Sequence, residues 1–169
     1  MIECLEEAAI QVDSTVDALN WNTYRAIKTR CQQYFHNLVP NKELELIVRE
    51  DHALSEGLEF VVKDKNGGAT TEATRRSVAE LSGGQKALLG LAFVFACAAH
   101  RPCKLYLMDE VDAALDEGNQ EAAGRLMRRV FSGQDAQLLA TSHHRTVQTE
   151  AQQCIPVIMQ NRSTLVGQL

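Results

Sequence analysis

The sequence predicts an α/β fold built on a mainly parallel sheet flanked by helices, and three observations carry the prediction. From residue 82 onward, helix-like and strand-like segments alternate, the order expected of a parallel sheet with crossover helices. Two of the strand-like runs end abruptly in polar residues, at Asp109 and at Ser142, as strands do when their carboxyl ends face a ligand crevice. The chain has 169 residues, 45% apolar and 23% charged, the size and composition of one globular domain with a proper core.

The elements follow in order. Ile2, Leu5, Ala9, Val12, Val16 and Leu19 alternate spacings of three and four, the stripe of a coiled-coil seam or of a packed helix face. The pattern slips by one residue and resumes at Tyr24, Ile27, Cys31, Tyr34 and Leu38. Pro40 then ends the helix, because the residue before a proline is pushed out of the helical region. No second heptad run is available to pair with this one. For residues 1–20 a partner elsewhere and packing on the body of the domain both stand; residues 24–38 read as packing. Residues 43–49, "ELELIVR", and 57–64, "GLEFVVKD", alternate as strands, with "KNGG" at 65–68 as a turn, a small β region ahead of the main sheet. The polar stretch from Ala69 to Val78 reads as a loop. Then come a helix over 82–100, a strand over 104–109, a helix over 117–131, a strand over 136–141, a helix over 144–152 and a strand over 155–159. No internal repeat is present.

Composition narrows the function. A net charge of −5 argues against binding nucleic acid by bulk charge, leaving Arg75 and Arg76, or Arg125, Arg128 and Arg129, as local clusters that read first as solvated faces. Five cysteines (Cys4, Cys31, Cys97, Cys103, Cys154) form no C-x-x-C pair, so neither a disulfide framework nor a zinc site follows. A reducing compartment, with most thiols packed as small apolar groups, fits this usage. There is no run of about 18 apolar residues to span a membrane. The opening "MIECLEEAAI" lacks the basic n-region of a secretion signal.

Three segments carry chemistry. In "LSGGQK", residues 81–86, Ser82 and Gln85 have the spacing of a helix capping box. Gly83 and Gly84 lie outside that account, since each glycine costs roughly 1 kcal/mol against alanine in a helix. An open helix N-terminus explains all four residues: free N–H groups and the positive dipole end attract phosphate, and glycines let it approach. Both readings stand on this segment alone. In "LYLMDE", residues 105–110, an apolar strand ends in Asp109 and Glu110. One carboxylate there suits a magnesium ion and the other an attacking water, unless the pair is simply a polar strand end leading into a turn. In "QLLATSHHRT", residues 137–146, a second strand ends in Ser142, His143 and His144. A lone histidine at a strand end is usually incidental; on the strand neighbouring the acid pair, it would be placed to reach a terminal phosphate as a polar sensor.

Together these segments resemble the ABC-type ATPases. Residues 81–86 resemble the signature motif, 105–110 a Walker B strand with its catalytic glutamate, and "AALD" at 113–116 the D-loop, with His143 at the switch position. The form "DEVDAALD" is similar to that of structural maintenance of chromosomes (SMC) proteins. The resemblance covers residues 20–167, and "NLVP" and "GLEF" are most like the eukaryotic condensin core subunit, from which "SHH" departs. A Walker A loop, G-x-x-x-x-G-K-[ST], is missing: the six lysines (Lys28, Lys42, Lys63, Lys65, Lys86, Lys104) never follow glycine. The resemblance therefore implies the C-terminal lobe of a head over residues 21–169, with residues 1–20 as the root of a coiled coil. The Walker A lobe belongs to the far N-terminal end of such a protein.

The resemblance further implies ATP and Mg2+ as cofactors. Leu81, Ser82, Gly83, Gly84, Gln85 and Lys86 would meet ATP held by a second head. Asp109 would hold the metal, Glu110 would activate water, His143 would sense the γ-phosphate and Asp116 would couple the two sites. Implied partners are the N-terminal lobe, a second SMC head, a kleisin-type subunit and DNA through the complex, at a chromosome in the nucleus or in a bacterial nucleoid. Two other readings remain: a DNA-repair ABC ATPase half-head, and a non-catalytic assembly module that binds a kleisin-like partner.

Overall fold

The computed structural model of the chain describes residues 2–48, 54, 57–65, 75–133, 135–160 and 163–167. One helix, α1 (Ile2–Leu38), runs unbroken through the slip in its apolar stripe. Its two halves have different surroundings. Leu5, Ile10, Val12, Val16 and Leu19 are exposed, whereas Cys31, Phe35 and Leu38 are buried in the core. The second half is thus the packed face expected, and the apolar residues of the first half are exposed among the described residues. The Tyr24 hydroxyl donates to the Leu46 carbonyl at 2.8 Å and Gln32 Nε2 to the Leu44 carbonyl at 2.8 Å, fastening α1 to the first strand.

That strand, β1 (Lys42–Ile47), pairs antiparallel with β2 (Glu59–Asp64), which pairs antiparallel with β3 (Arg75–Ser77). The stretch from Ala69 to Val78 was expected to be loop throughout; residues 75–77 instead form an edge strand, followed by a 3-10 turn over Val78–Glu80. Ladder bonds from β2 supply what the local polar sequence does not announce. Residues 66–68 of the expected turn and 69–74 of the expected loop lie outside the described residues, as does residue 49 of the first strand.

The second half of the chain follows. Helix α2 (Gly83–His100) buries Leu88, Leu89, Leu91, Ala92, Phe95, Ala96 and Ala98 between α1 and helix α3 (Glu117–Ser132). Phe95 stacks edge-on against Phe131 of α3, with ring centroids 5.7 Å apart. Strand β4 (Leu105–Asp109) lies parallel to β5 (Gln137–Thr141), and the Tyr106 ring packs on Phe131 at 4.8 Å, so α3 crosses over the inner face of this pair. The predicted helix over 144–152 is one turn, α4 (Arg145–Gln148). Beyond it, Glu150 N–H bonds the Val147 carbonyl and Ala151 N–H the Gln148 carbonyl, i→i+3 bonds that tighten and end a helix.

The last predicted strand needs correcting. Strand β6 (Val157–Gln160) does not extend the parallel pair but folds antiparallel onto β7 (Ser163–Val166), a strand the sequence did not announce. Pro156, with no N–H to donate, sets its start two residues late. Among the described residues no helix is long and apolar enough to cross a membrane. Four cysteines are described as free thiols. Cys31 is buried, Cys97 and Cys154 half-buried, and Cys103 exposed, so the last does not join the packed set.

Candidate active site

Strand alternation places the site. In β4 and β5, Tyr106, Met108 and Leu138 turn toward the helices, while Leu105, Leu107 and Asp109 share the opposite face with Gln137, Leu139 and Thr141. Asp109 and Thr141 are paired in register across the two strand ends. The Thr141 hydroxyl donates to Asp109 Oδ1 at 2.5 Å and accepts the Glu110 N–H at 3.0 Å. Both carboxylate-bearing residues therefore hang on one threonine, a contribution the sequence reading missed because threonine is an unremarkable strand residue.

Glu110 has φ 46°, the left-handed region, and it is the one described non-glycine residue there. Such a conformation costs roughly 1–2 kcal/mol for an L-residue and persists only when its surroundings impose it. Here the Thr141 bond fixes its N–H, and its carbonyl accepts from Ala113 N at 3.1 Å. The twist turns the side chain toward β5, where His143 Nε2 lies 2.8 Å from Glu110 Oε1. Asp109 and Glu110 thus stand at the end of one strand, and His143, just past the end of its parallel neighbour, touches Glu110.

The signature-like turn packs against the segment that follows this cluster, at the Ala114 carbonyl. Ser82 caps α2 as a full capping box: its Oγ accepts from Gln85 N and its N–H donates to Gln85 Oε1, both at 3.3 Å. The box explains Ser82 and Gln85, and packing explains Gly84, where a Cβ would come within 3.2 Å of the Ala114 carbonyl oxygen. A Cβ at Gly83 would meet nothing within 4 Å. Packing among the described residues therefore does not call for a glycine at position 83. The Leu81 side chain is buried in the core, where it anchors the turn. Lys86 is exposed and its Nζ donates to the Ala79 carbonyl at 3.1 Å.

Asp116 caps α3, accepting from Asn119 N at 2.9 Å and from Asn119 Nδ2 at 2.8 Å. Between Glu110 and Asp116 the chain makes two tight turns, with Ala113 N–H on the Glu110 carbonyl and Leu115 N–H on the Asp112 carbonyl, and buried Gln120 Nε2 donates to the Leu115 carbonyl. Asp112 is almost wholly buried, and Ser142 Oγ donates to its Oδ2 at 2.5 Å. Three arginines of the basic clusters stay exposed and pair with acids: Arg76 with Asp64, Arg125 with Glu121 and Arg128 with Glu150. Among the described residues no three His, Cys, Asp or Glu side chains form a metal cage. The donor set fits magnesium nonetheless, because that ion is commonly held by one or two carboxylates, waters and the substrate's phosphates.

The fold is that of an ABC-type ATPase head fragment, mixing helix and sheet as solved heads do. Residues 1–165 match the family described as RecF/RecN/SMC N terminal domain, and the chain belongs to that family. It is part of an SMC ATPase head. It is 31% identical over 140 residues to Structural maintenance of chromosomes protein 2 of Saccharomyces cerevisiae, covering 79% of this chain and 12% of that protein. It is 32% identical over 161 residues to Chromosome partition protein Smc of Burkholderia pseudomallei, covering 95% of this chain and 13% of that one. The chain thus spans about an eighth of the length of these relatives. Among solved structures, the Smc head of Pyrococcus furiosus, with an extended coiled coil and bound to the C-terminal domain of ScpA, superposes with a TM-score of 0.84. The identity is 27%, covering 99% of this chain and 40% of that one. A structure from work on ATP-driven dimerization and DNA stimulated activation of SMC ATPases superposes at 0.75, with 29% identity, covering 90% of this chain and 89% of that one.

Proposed function

We propose that this chain is the C-terminal half of an SMC head, which hydrolyses ATP together with an N-terminal Walker A lobe and a second head to drive chromosome organisation. One observation carries the reading. The sheet face that ends in Asp109 and Thr141 is lined below by Leu105, Leu107 and Leu139, all exposed in this chain. An apolar sheet face leading up to a strand-end acid pair is the half of a site that a second lobe completes.

The residues then take these roles. Ser82 and the Gly83 and Gly84 amides present donors to the γ-phosphate of ATP on the opposite head. Glu110 orients and deprotonates the attacking water, and His143 donates toward the terminal phosphate. Asp116, at the head-to-head face, links the two sites while capping α3. Asp109 is the residue that would hold Mg2+, and the ion, when bound with ATP, would neutralise charge developing on the phosphates. Hydrolysis removes the contacts shared by the heads, and they part.

The exposed stripe on the first half of α1 suits the root of a coiled coil, residues 1–20. The ScpA-bound Pyrococcus head supports a kleisin-type partner for this chain. Action at a chromosome, in a nucleus or a nucleoid, fits relatives from both yeasts and bacteria. Similarity at nearly equal identity to both supports the SMC level more firmly than a condensin one. The absence of a P-loop favours one further statement: alone, the chain is an assembly module. Mixing it with a separately made Walker A lobe tests the proposal. ATP turnover should arise in the mixture and in neither part; turnover by the isolated chain, or none in a mixture that binds ATP and forms dimers, would contradict it.

A further inference from the structure

Asp112 and Gln120 are the buried polar residues among those described, and Asp112 is 1% exposed. A buried carboxylate is costly unless it is bonded, so a turn that keeps one ordinarily uses it. Among the described residues, Asp112 accepts a side-chain bond from Ser142 Oγ at 2.5 Å. Because that hydroxyl gives its proton to Asp112, its lone pairs are aimed elsewhere. One accepts the backbone N–H of His144 at 3.0 Å. Ser142 and His144 flank His143, so this relay closes a tight turn around it.

Packing does not hold the His143 ring in its place, since its side chain is 82% exposed. What sets its position is the backbone on either side. The other end of its contact, Glu110, sits two residues before Asp112 in the same turn. A short carboxylate–hydroxyl–amide chain, buried at its Asp112 end, therefore fixes the histidine relative to the glutamate.

We infer that Asp112 is a positioning residue: through Ser142 it locks the His143 turn and so holds His143 against Glu110. The inference rests on the site proposed above and adds two residues to it. Displacing a catalytic group by about 1 Å can cost on the order of 100-fold in rate, so a bond remote from substrate can matter this much.

Steady-state ATP hydrolysis by the full-length protein that carries this chain tests it. Asp112→Ala and Ser142→Ala should each lower kcat by about 10-fold to 100-fold, with KM for ATP changed by less than about 2-fold. The double variant should be no slower than either single one, because both break one chain of bonds. Asp112→Asn keeps an acceptor for Ser142, and its kcat should stay within about 3-fold of the parent. If Asp112→Ala does not fold, Ser142→Ala with Ser142→Thr as its rescue carries the same comparison. Unchanged kcat in both alanine variants, multiplied losses in the double, an effect confined to KM, or Asp112→Asn as slow as Asp112→Ala would each overturn the inference. Glu110→Gln measured alongside separates the two levels. Normal hydrolysis in that variant removes the site itself; lost hydrolysis there, with unchanged kcat in the alanine variants, removes only the role of Asp112.

Discussion

Replacing Leu107 and Leu139 together by alanine isolates the bare sheet face. Leu107 is 71% exposed and Leu139 54%, and neither contributes to the core. Fully burying a leucine is worth about 1.5–3 kcal/mol, so covering these fractions gains roughly 1–2 kcal/mol at each position. Alanine retains part of that contact, and the pair should lose about 2 kcal/mol of lobe association, or about 30-fold in affinity. The chain alone should be nearly indifferent, within about 0.5 kcal/mol, because both side chains already face water. Calorimetric titration of the chain against a separate N-terminal lobe reads the first quantity, and urea unfolding of the chain reads the second. Unchanged lobe affinity would refute the reasoning, as would a loss of more than about 2 kcal/mol in the chain's own stability, the signature of a core leucine.

Other consequences follow from the same geometry. Phe95 is fully buried and stacked on Phe131, so Phe95→Ala should destabilise the domain by about 3–5 kcal/mol in urea unfolding. Burial, aided by the nearby Cys97, pushes the Cys31 thiol up from 9.0 to about 12. The folded chain then keeps a proton that the unfolded chain loses, so this contribution is intact below about pH 9 and stability falls as pH rises from there toward the folded value. A pH series of unfolding midpoints, compared with Cys31→Ala, reads that slope. Alkylation at pH 8 should label exposed Cys103 and spare Cys31.

Much of the fold was legible because local signals and packing agree. The start of α2 was marked by Ser82 and Gln85, and the capping box forms. The acid pair was legible because an apolar strand stops at Asp109, where β4 does end. What escaped the sequence depends on partners distant in the chain. Strand β3 exists through bonds to β2, and β7 through its register with β6; neither has a strong pattern of its own. Thr141 and Asp112 act through bonds between segments about thirty residues apart, which no spacing rule anticipates. The two glycines divide in the same way. Gly84 answers to the Ala114 carbonyl, a tertiary contact, whereas no contact among the described residues asks for Gly83.

The most direct measurement is the mass of the complete head in solution with ATP, for Glu110→Gln alone and combined with Ser82→Arg. Glu110→Gln should bind ATP, stop hydrolysing it and accumulate as a stable dimer. Adding Ser82→Arg should return it to a monomer with unchanged nucleotide affinity. Normal turnover by Glu110→Gln, or nucleotide affinity lost along with the dimer on adding Ser82→Arg, would contradict the division of labour between the acid pair and the trans-facing turn.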